Sequence, residues 1–272
     1  MYKAVFIDID GTLLNSQKQI SNKTKEIIKS VTEKGILVVL CSGRPRNFTE
    51  NISREANASK YIITSNGSGI YDYEEDKVLA INSMNKQECI ELYKITEAID
   101  AKFIMNVGAT RIVNKLTHFD GTEEKLKVPI EEFVEKNNIE QCVIEDKDFG
   151  KMKYIKPKIE KLQKVAIKNQ HKSLIDKSVP KQGSTIYYDV ASVESDKGHA
   201  IKKICEILEI DLEDTVAIGD DYNDLSMFKV VGHSIAMGNA NEDIKAEADE
   251  VTVSNDEDGV ALFLEKLLND KK

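Results

Sequence analysis

Hydrophobic and polar positions alternate in blocks along the first part of the chain. The run 3–9 is rich in Val and Ile and predicts a short strand that is buried on both faces. Ser21 can cap the helix that follows, and a second apolar run at 36–41 predicts the next strand. Pro45 can open another helix before a third strand at 61–64. This alternation predicts an α/β fold with a doubly wound parallel sheet.

The pattern changes between about 84 and 189. Two adjacent strands with alternating hydrophobicity, at 102–107 and 111–116, lie among helices predicted at 85–99 and 129–137. Further strands in this region are predicted at 141–145, 165–168 and 185–190. Paired strands with helices between them are typical of a separate α+β domain.

After Lys197 the first pattern returns. Helices are predicted at 197–208, 223–230, 241–248 and 259–268, and strands at 215–219, 234–237 and 250–253. The sequence therefore predicts an α/β core formed by 1–83 and 190–272, with an α+β domain inserted at 84–189.

Composition and charge exclude several classes of protein. The chain carries 38 basic and 47 acidic residues, a net charge of −9, which disfavours nucleic acid and anionic membranes as partners. The four cysteines show no CxxC spacing, so we expect reduced, mostly buried thiols rather than disulfides or a zinc site. Because no apolar run is long enough to span a membrane and no basic leader precedes the first strand, we expect a cytoplasmic protein.

Lysines are concentrated in the segment 151–172, where Glu160 is the only acidic residue among them. A solvated helix face is the favoured interpretation, and an anion-binding surface is the alternative. The role of this segment stays open at the level of sequence.

Two carboxylates lie at the end of the first predicted strand. Asp8 and Asp10 are two positions apart and can face the same side, while Gly11 allows the chain to turn. Burying such carboxylates without partners would cost several kcal/mol each. The pair therefore predicts a cationic partner or ligand in preference to a simple turn cap.

The segment 41–45, Cys-Ser-Gly-Arg-Pro, follows the second predicted strand and precedes a helix. The Ser42 hydroxyl and backbone amides at a helix N-terminus suit a phosphate oxygen. Taken alone, the segment is equally compatible with Ser42 as a plain cap and Arg44 as a surface charge.

An acidic cluster follows the strand predicted at 215–219. Asp220, Asp221 and Asp224 repel one another unless they bind a cation or cap the next helix. Oxygen ligands favour magnesium, and the spacing does not match an EF-hand calcium loop. Lys197, which begins an earlier helix, would by itself be taken for a surface residue.

These groups converge because the carboxyl ends of parallel strands share one crevice. Carboxylates, a hydroxyl, a lysine and metal-binding acids together meet the needs of phosphoryl transfer, in which cations neutralise the phosphoryl group while a carboxylate attacks in line. A carboxylate nucleophile would form an aspartyl-phosphate intermediate.

At these positions the chain resembles the haloacid dehalogenase-like hydrolases, in particular Cof-type phosphatases of subfamily IIB. The matching segments, in order, are DIDGTLL, SGR, DKG and GDDYND. The resemblance covers the whole chain and implies a Rossmann-like core with an inserted α+β cap of the second (C2) class. The insertion falls between the second and third motifs, as it does in that subfamily.

The resemblance implies a role for each matched residue. Asp8 is expected to be the nucleophile, and Asp10 the acid that protonates the leaving oxygen and then activates water. Lys197 is expected to bridge the phosphoryl group and Asp8. The metal Mg²⁺ is expected to be held by Asp8, the backbone carbonyl of Asp10 and Asp220, with Asp224 orienting its waters.

Substrate contacts are implied in the same way. The phosphoryl group is expected to be held by Ser42, Asn223 and the backbone amides of Gly11 and Gly43, with Arg44 and Asn66 at the substrate entrance. In the inserted domain, His118 is the histidine expected to lie nearest the substrate.

The sequence thus predicts a magnesium-dependent phosphatase that hydrolyses small phosphorylated metabolites such as sugar or cofactor phosphates. A phosphomutase with the same intermediate, or a non-catalytic regulator that binds phosphometabolites, is the alternative. A small phosphorylated metabolite is the expected partner, and the protein is expected to be a monomer or a homodimer.

Overall fold

The computed structural model describes residues 2–117, 121–175 and 183–269, except for the side chains of Lys172 and Ile175. His118 lies outside the described residues. The first part of the chain forms β1 (Ala4–Asp8), α1 (Asn22–Glu33), β2 (Leu37–Cys41), α2 (Arg46–Glu55), β3 (Tyr61–Thr64), β4 (Gly69–Asp72) and β5 (Lys77–Ile81). Ser21 caps α1 as its sequence position predicts, since its side chain accepts the N–H of Thr24.

The middle of the chain alternates short strands and helices. It forms α3 (Lys86–Glu97), β6 (Lys102–Val107), β7 (Thr110–Val113), β8 (Glu124–Lys125), α4 (Ile130–Lys136), β9 (Gln141–Asp146), α5 (Phe149–Ile159), β10 (Val165–Gln170), α6 (Lys172–Ile175) and β11 (Ile186–Ser192).

The last part returns to the first pattern. It forms α7 (Lys197–Leu208), β12 (Thr215–Gly219), α8 (Leu225–Phe228), β13 (His233–Ala236), α9 (Glu242–Lys245), β14 (Glu250–Val251) and α10 (Gly259–Asn269). The helix predicted at 223–230 is wrong in extent. The residues Tyr222–Asp224 form a 3₁₀ turn because Asp221 and Asp224 bond the backbone at its start, so α8 begins later.

The chain divides into two compact units, Met1–Ala80 with Asp196–Lys272, and Ile81–Ser195. The second unit begins before and ends after the range 84–189 predicted for an inserted domain. At its C-terminal end the reason is β11, which continues through position 189 to Ser192.

The first unit contains an eight-stranded sheet in the order β14-β13-β12-β1-β2-β3-β4-β5. The six strands from β14 to β3 are parallel, as the sequence predicts, whereas β4 runs antiparallel to β3. The sheet is Rossmann-like with an added edge at β4 and β5, which the sequence interpretation missed.

Both faces of this sheet are covered. Along β1, Val5 and Ile7 pack into a core shared with α1 and α10, whereas Ala4 and Phe6 pack into a core shared with α7 and α8. Burial on both faces explains why β1 reads as a continuous apolar run.

The second unit contains a six-stranded sheet in the order β10-β11-β9-β6-β7-β8, which is antiparallel except for the β7–β8 pair. Its core includes Phe103, Ile144 and Tyr188 from the strands and Leu92 and Ile155 from the helices.

Helix α5 carries part of the lysine-rich segment. Met152, Ile155 and Ile159 are buried at helical spacing, whereas Lys153 is exposed and Lys158 is partly exposed. The exposure of these lysines is compatible with both interpretations, a solvated helix face and an anion-binding surface.

All four cysteines are free and buried, as predicted. Among the described helices, none combines the length and the hydropathy that a membrane-spanning segment requires.

Candidate active site

The candidate residues lie where four neighbouring parallel strands of the first unit end. Asp8 ends β1, Ser42 follows β2, Asn66 follows β3 and Asp220 follows β12. These strands are adjacent in the order β12-β1-β2-β3. The sheet therefore brings together residues that are more than two hundred positions apart in the chain.

Lys197, at the start of α7, lies between two carboxylates. Its Nζ atom is 2.5 Å from Asp8 Oδ1 and 2.6 Å from Asp224 Oδ1. The side chains of Lys197 and Asp224 are completely buried, and that of Asp8 is nearly so. An ammonium group without such partners would not be stable at this depth.

Burial and charge act in opposite directions on these groups. Burial raises the pKa of Asp8 well above its usual range, and the positive charge of Lys197 works against that rise. For Lys197, burial favours the neutral amine, but the charges of Asp224 and Asp8 outweigh burial and raise its pKa. Lys197 therefore stays charged over the whole physiological pH range.

Asp220 completes an acidic cluster with the same carboxylates. One oxygen from each of Asp8, Asp220 and Asp224 lies within 4.8 Å of the others, a group that could hold a metal ion. Burial and the charge of Asp224 raise the pKa of Asp220 to about 7, and Thr12 Oγ1 donates a hydrogen bond of 2.7 Å to its Oδ1. Closely spaced hard oxygens with uncompensated negative charge fit Mg²⁺.

The turn after β1 fits closely against this cluster. Gly11 has a φ of 88°, and a Cβ atom there would lie 2.3 Å from Asp220 Oδ2. Its carbonyl accepts a hydrogen bond of 2.9 Å from Asn239 Nδ2. Glycine is required here both by the backbone conformation and by the approach of Asp220.

Asp10 points to a different set of partners. Arg44 donates to both of its oxygens at 2.9 Å, and Lys18 Nζ lies 3.0 Å from Oδ1. Burial tends to raise the pKa of Asp10, but the hydrogen bonds from Arg44 and Lys18 outweigh it and hold that pKa below its usual value. Among the described residues, the carboxylate cluster does not include the side chain of Asp10.

Ser42, Asn66 and Asn223 form a polar group beside the carboxylates. Ser42 is buried and its Oγ accepts the N–H of Arg44 at 3.0 Å. Asn223 Nδ2 donates to Asn66 Oδ1 at 3.0 Å, and a Cβ atom at Gly43 would lie 3.0 Å from the Asn66 amide. The structure therefore brings the predicted phosphate-binding residues into one region.

A model of the haloacid dehalogenase-like hydrolase family matches residues 5–264. The chain belongs to the haloacid dehalogenase-like hydrolases. A relative from Bacillus subtilis (strain 168), the 5-amino-6-(5-phospho-D-ribitylamino)uracil phosphatase YwtE, is 30% identical over an alignment of 296 positions that covers 98% of this chain and 98% of the relative.

Solved structures agree with this assignment. A haloacid dehalogenase-like hydrolase from Bacteroides thetaiotaomicron has a TM-score of 0.77 at 27% identity, covering 98% of this chain and 100% of that chain. The subclass IIB sugar phosphatase BT4131 has the same fold, with a TM-score of 0.76 at 24% identity over 97% of this chain and 98% of that chain. The resemblance to this family is confirmed, and the protein is a phosphatase of the haloacid dehalogenase-like hydrolases.

Three contacts of this hydrolase were not anticipated from the sequence. Thr12 donates a hydrogen bond to Asp220, and Lys18 donates one to Asp10. Asn239 donates one to the carbonyl of Gly11. Thr12 lies within the first motif and could have been included. Lys18 and Asn239 carry no local signal, because their side chains reach the site only through the turn after β1 and the turn after β13.

Proposed function

We propose that this protein is a magnesium-dependent phosphatase that hydrolyses small phosphorylated metabolites through an aspartyl-phosphate on Asp8. The observation that carries the proposal is the completely buried Lys197, held between Asp8 and Asp224, beside the carboxylate group of Asp8, Asp220 and Asp224. Burying so much charge is costly for stability alone, so a chemical role is the better explanation.

In the first step, an oxygen of Asp8 attacks phosphorus, a new O–P bond forms, and the bond to the leaving oxygen breaks. Lys197 neutralises Asp8 and then the transferring phosphoryl oxygens. Ser42, Asn223 and the backbone of Gly11 and Gly43 are proposed to hold those oxygens.

Asp10 is proposed to move the protons. It donates one to the leaving oxygen and later accepts one from the water that hydrolyses the phosphoenzyme. Its contacts with Arg44 and Lys18 favour the carboxylate form, which suits the second step. We propose that a bound substrate draws Arg44 away from Asp10, which leaves a carboxylate oxygen able to carry the proton of the first step.

Asp8, Asp220 and the backbone carbonyl of Asp10 are proposed to hold Mg²⁺, with Asp224 orienting its waters. When bound, the ion supplies positive charge that offsets the charge of the phosphoryl group and of the surrounding acids. The geometry and raised pKa of Asp220 described above support this assignment.

Small phosphorylated metabolites are proposed as substrates, and the name of the B. subtilis relative, a phosphatase of a phosphoribityl compound, supports that class. We propose that the predicted cap domain 84–189, which falls within the compact unit Ile81–Ser195, is a separate domain inserted into the catalytic core.

The test is phosphate release from a panel of phosphate monoesters, with and without Mg²⁺. Asp8→Asn should abolish release, whereas Asp211→Asn should not, because Asp211 is exposed and precedes β12 at the opposite end from Asp220. Full activity of Asp8→Asn, or activity that survives removal of all divalent ions, would refute the proposal. Phosphorus NMR that detects an isomerised ester instead of free phosphate would assign the protein as a phosphomutase.

A further inference from the structure

Three consecutive residues after β3 adopt left-handed backbone conformations. The φ angles are 51° at Ser65, 55° at Asn66 and 91° at Gly67; we call these residues the left-handed turn. Non-glycine residues rarely adopt such angles, and a run of them persists only where the surroundings impose it.

The left-handed turn is bonded to the segment that carries Ser42. The N–H of Ser65 donates to the carbonyl of Arg44 at 2.9 Å, and the N–H of Asn66 donates to the carbonyl of Ser42 at 3.0 Å. Through its side chain, Asn66 also accepts the hydrogen bond from Asn223. The turn thus connects two of the loops that carry the proposed phosphate ligands.

At its last residue the turn meets the start of α7. A Cβ atom at Gly67 would lie 2.1 Å from the carbonyl oxygen of Asp196 and 3.0 Å from the backbone nitrogen of Lys197. Asp196 caps α7 by accepting the N–H of His199 at 2.8 Å, and Lys197 is the first residue of that helix. No side chain fits between the two backbones, so this approach fixes where α7 begins.

We infer that Gly67 is a positioning residue for Lys197. By allowing the turn to touch the Asp196 carbonyl, Gly67 holds the first residue of α7 at the depth where its Nζ reaches Asp8 and Asp224. The catalytic part of this inference rests on the proposed function, whereas the structural part does not.

The activity test compares Gly67→Ala with Gly35→Ala. Gly35 has a φ of 83°, and a Cβ atom there would have no neighbour within 4 Å, so alanine at this position carries the same backbone strain without a close approach. Gly67→Ala should lower kcat by about 100-fold while KM changes little, as expected for a misplaced catalytic group. Gly35→Ala should keep the wild-type kcat. A wild-type kcat in Gly67→Ala overturns the inference.

A thermodynamic cycle tests positioning without any activity. Lys197→Met is introduced into the wild type, into Gly67→Ala and into Gly35→Ala, and the unfolding equilibrium constant of each is measured in urea. If Gly67 positions Lys197, the factor by which Lys197→Met changes the unfolding equilibrium constant should be smaller in the Gly67→Ala background than in the wild type, by about fivefold or more. In the Gly35→Ala background it should be unchanged. Equal effects in all three backgrounds overturn the inference, even if the protein proves not to be a phosphatase.

Gly67→Asn provides a second measurement, since Asn adopts positive φ more readily than Ala but still carries a Cβ atom. The kcat of Gly67→Asn should be lowered as in Gly67→Ala. The effect of Lys197→Met on the unfolding equilibrium constant should also be the same in the two Gly67 variants. If both Gly67 variants fail to fold while Gly35→Ala folds, the contact is a requirement of folding, and the positioning role is refuted.

Discussion

Replacing Lys197 by Met tests whether the buried ammonium group is the counter-charge of the site. The side chain keeps its length but loses its charge, and Asp8 and Asp224 remain buried without a cation. At an effective dielectric of about 20, a charge pair about 4 Å apart contributes about 4 kcal/mol. The attraction of two such pairs is offset by the cost of burying the ammonium group. Removing one partner from a buried ion pair costs about 3–5 kcal/mol, because the remaining charge stays buried without a partner.

A loss of that size is a large part of the stability of a domain, which is about 5–15 kcal/mol. The assay is urea denaturation at pH 7 followed by circular dichroism, with EDTA present so that no divalent ion replaces the lysine. Lys203→Met is the matched control. It lies on the same helix, its side chain is 49% exposed and its ion pair with Glu206 is on the surface, so it should cost less than about 1 kcal/mol.

The pH dependence has a definite sign. Without Lys197, burial and the charge of Asp224 act unopposed on Asp8, and the pKa of Asp8 in the folded variant rises above that in the unfolded chain. A group with a raised folded pKa contributes stability that is lost as the pH rises through that value. The stability deficit of Lys197→Met should therefore be smaller at pH 5 than at pH 7. Adding Asp224→Asn to the variant should restore part of the stability.

Two results would contradict the role of Lys197 as the counter-charge of the two carboxylates. One is a Lys197→Met protein that is as stable at pH 7 as the Lys203→Met control. The other is a deficit that grows as the pH is lowered, which would mean that the carboxylates are not the groups left uncompensated.

Three further predictions concern Gly11, Glu123 and the four cysteines. Gly11→Ala should lower phosphate release about 100-fold by displacing Asp220, whereas Gly35→Ala, with a similar φ, should not; equal effects would mean that backbone strain alone matters. Glu123→Gln should destabilise the second unit by about 1.5–3 kcal/mol, because Glu123 Oε1 lies 2.6 Å from the buried Lys102. Burial opposes ionisation of Glu123, but the hydrogen bond from Lys102 outweighs burial and lowers the pKa of Glu123. The stability difference between the wild type and Glu123→Gln should therefore be present at pH 7 and shrink as the pH falls below about 4. A stability difference in urea denaturation that does not change with pH would contradict this prediction. All four thiols should react with a thiol reagent only after denaturation, since each is buried and burial raises the pKa of Cys41 and Cys142; rapid labelling of the native protein would contradict their burial.

Much of the core could be predicted because its signals are local. The apolar run of β1 requires burial on both faces, and Ser21 caps α1 through neighbours a few positions away. Strand β3 occurs at the predicted residues 61–64. Strands β4 and β5 were missed, although Asn66-Gly67 is a dipeptide typical of a turn between two antiparallel strands and could have indicated that β4 pairs with β3.

The motifs indicated which residues meet, because strands that end at one edge of a parallel sheet share a crevice. They did not indicate how the charges pair. Asp8 and Asp10 lie two positions apart, yet Asp8 bonds Lys197 whereas Asp10 bonds Arg44 and Lys18.

The α/β core, its strand ends and the set of acids and cations that belong to one site can be predicted from the sequence, since periodicity and capping depend on nearby residues. The position of Lys197 between Asp8 and Asp224, and the contact of Gly67 with Asp196, follow from the three-dimensional fold alone. Those contacts join segments far apart in the chain, and their geometry depends on strand register and on how closely two backbones approach, which no local pattern encodes.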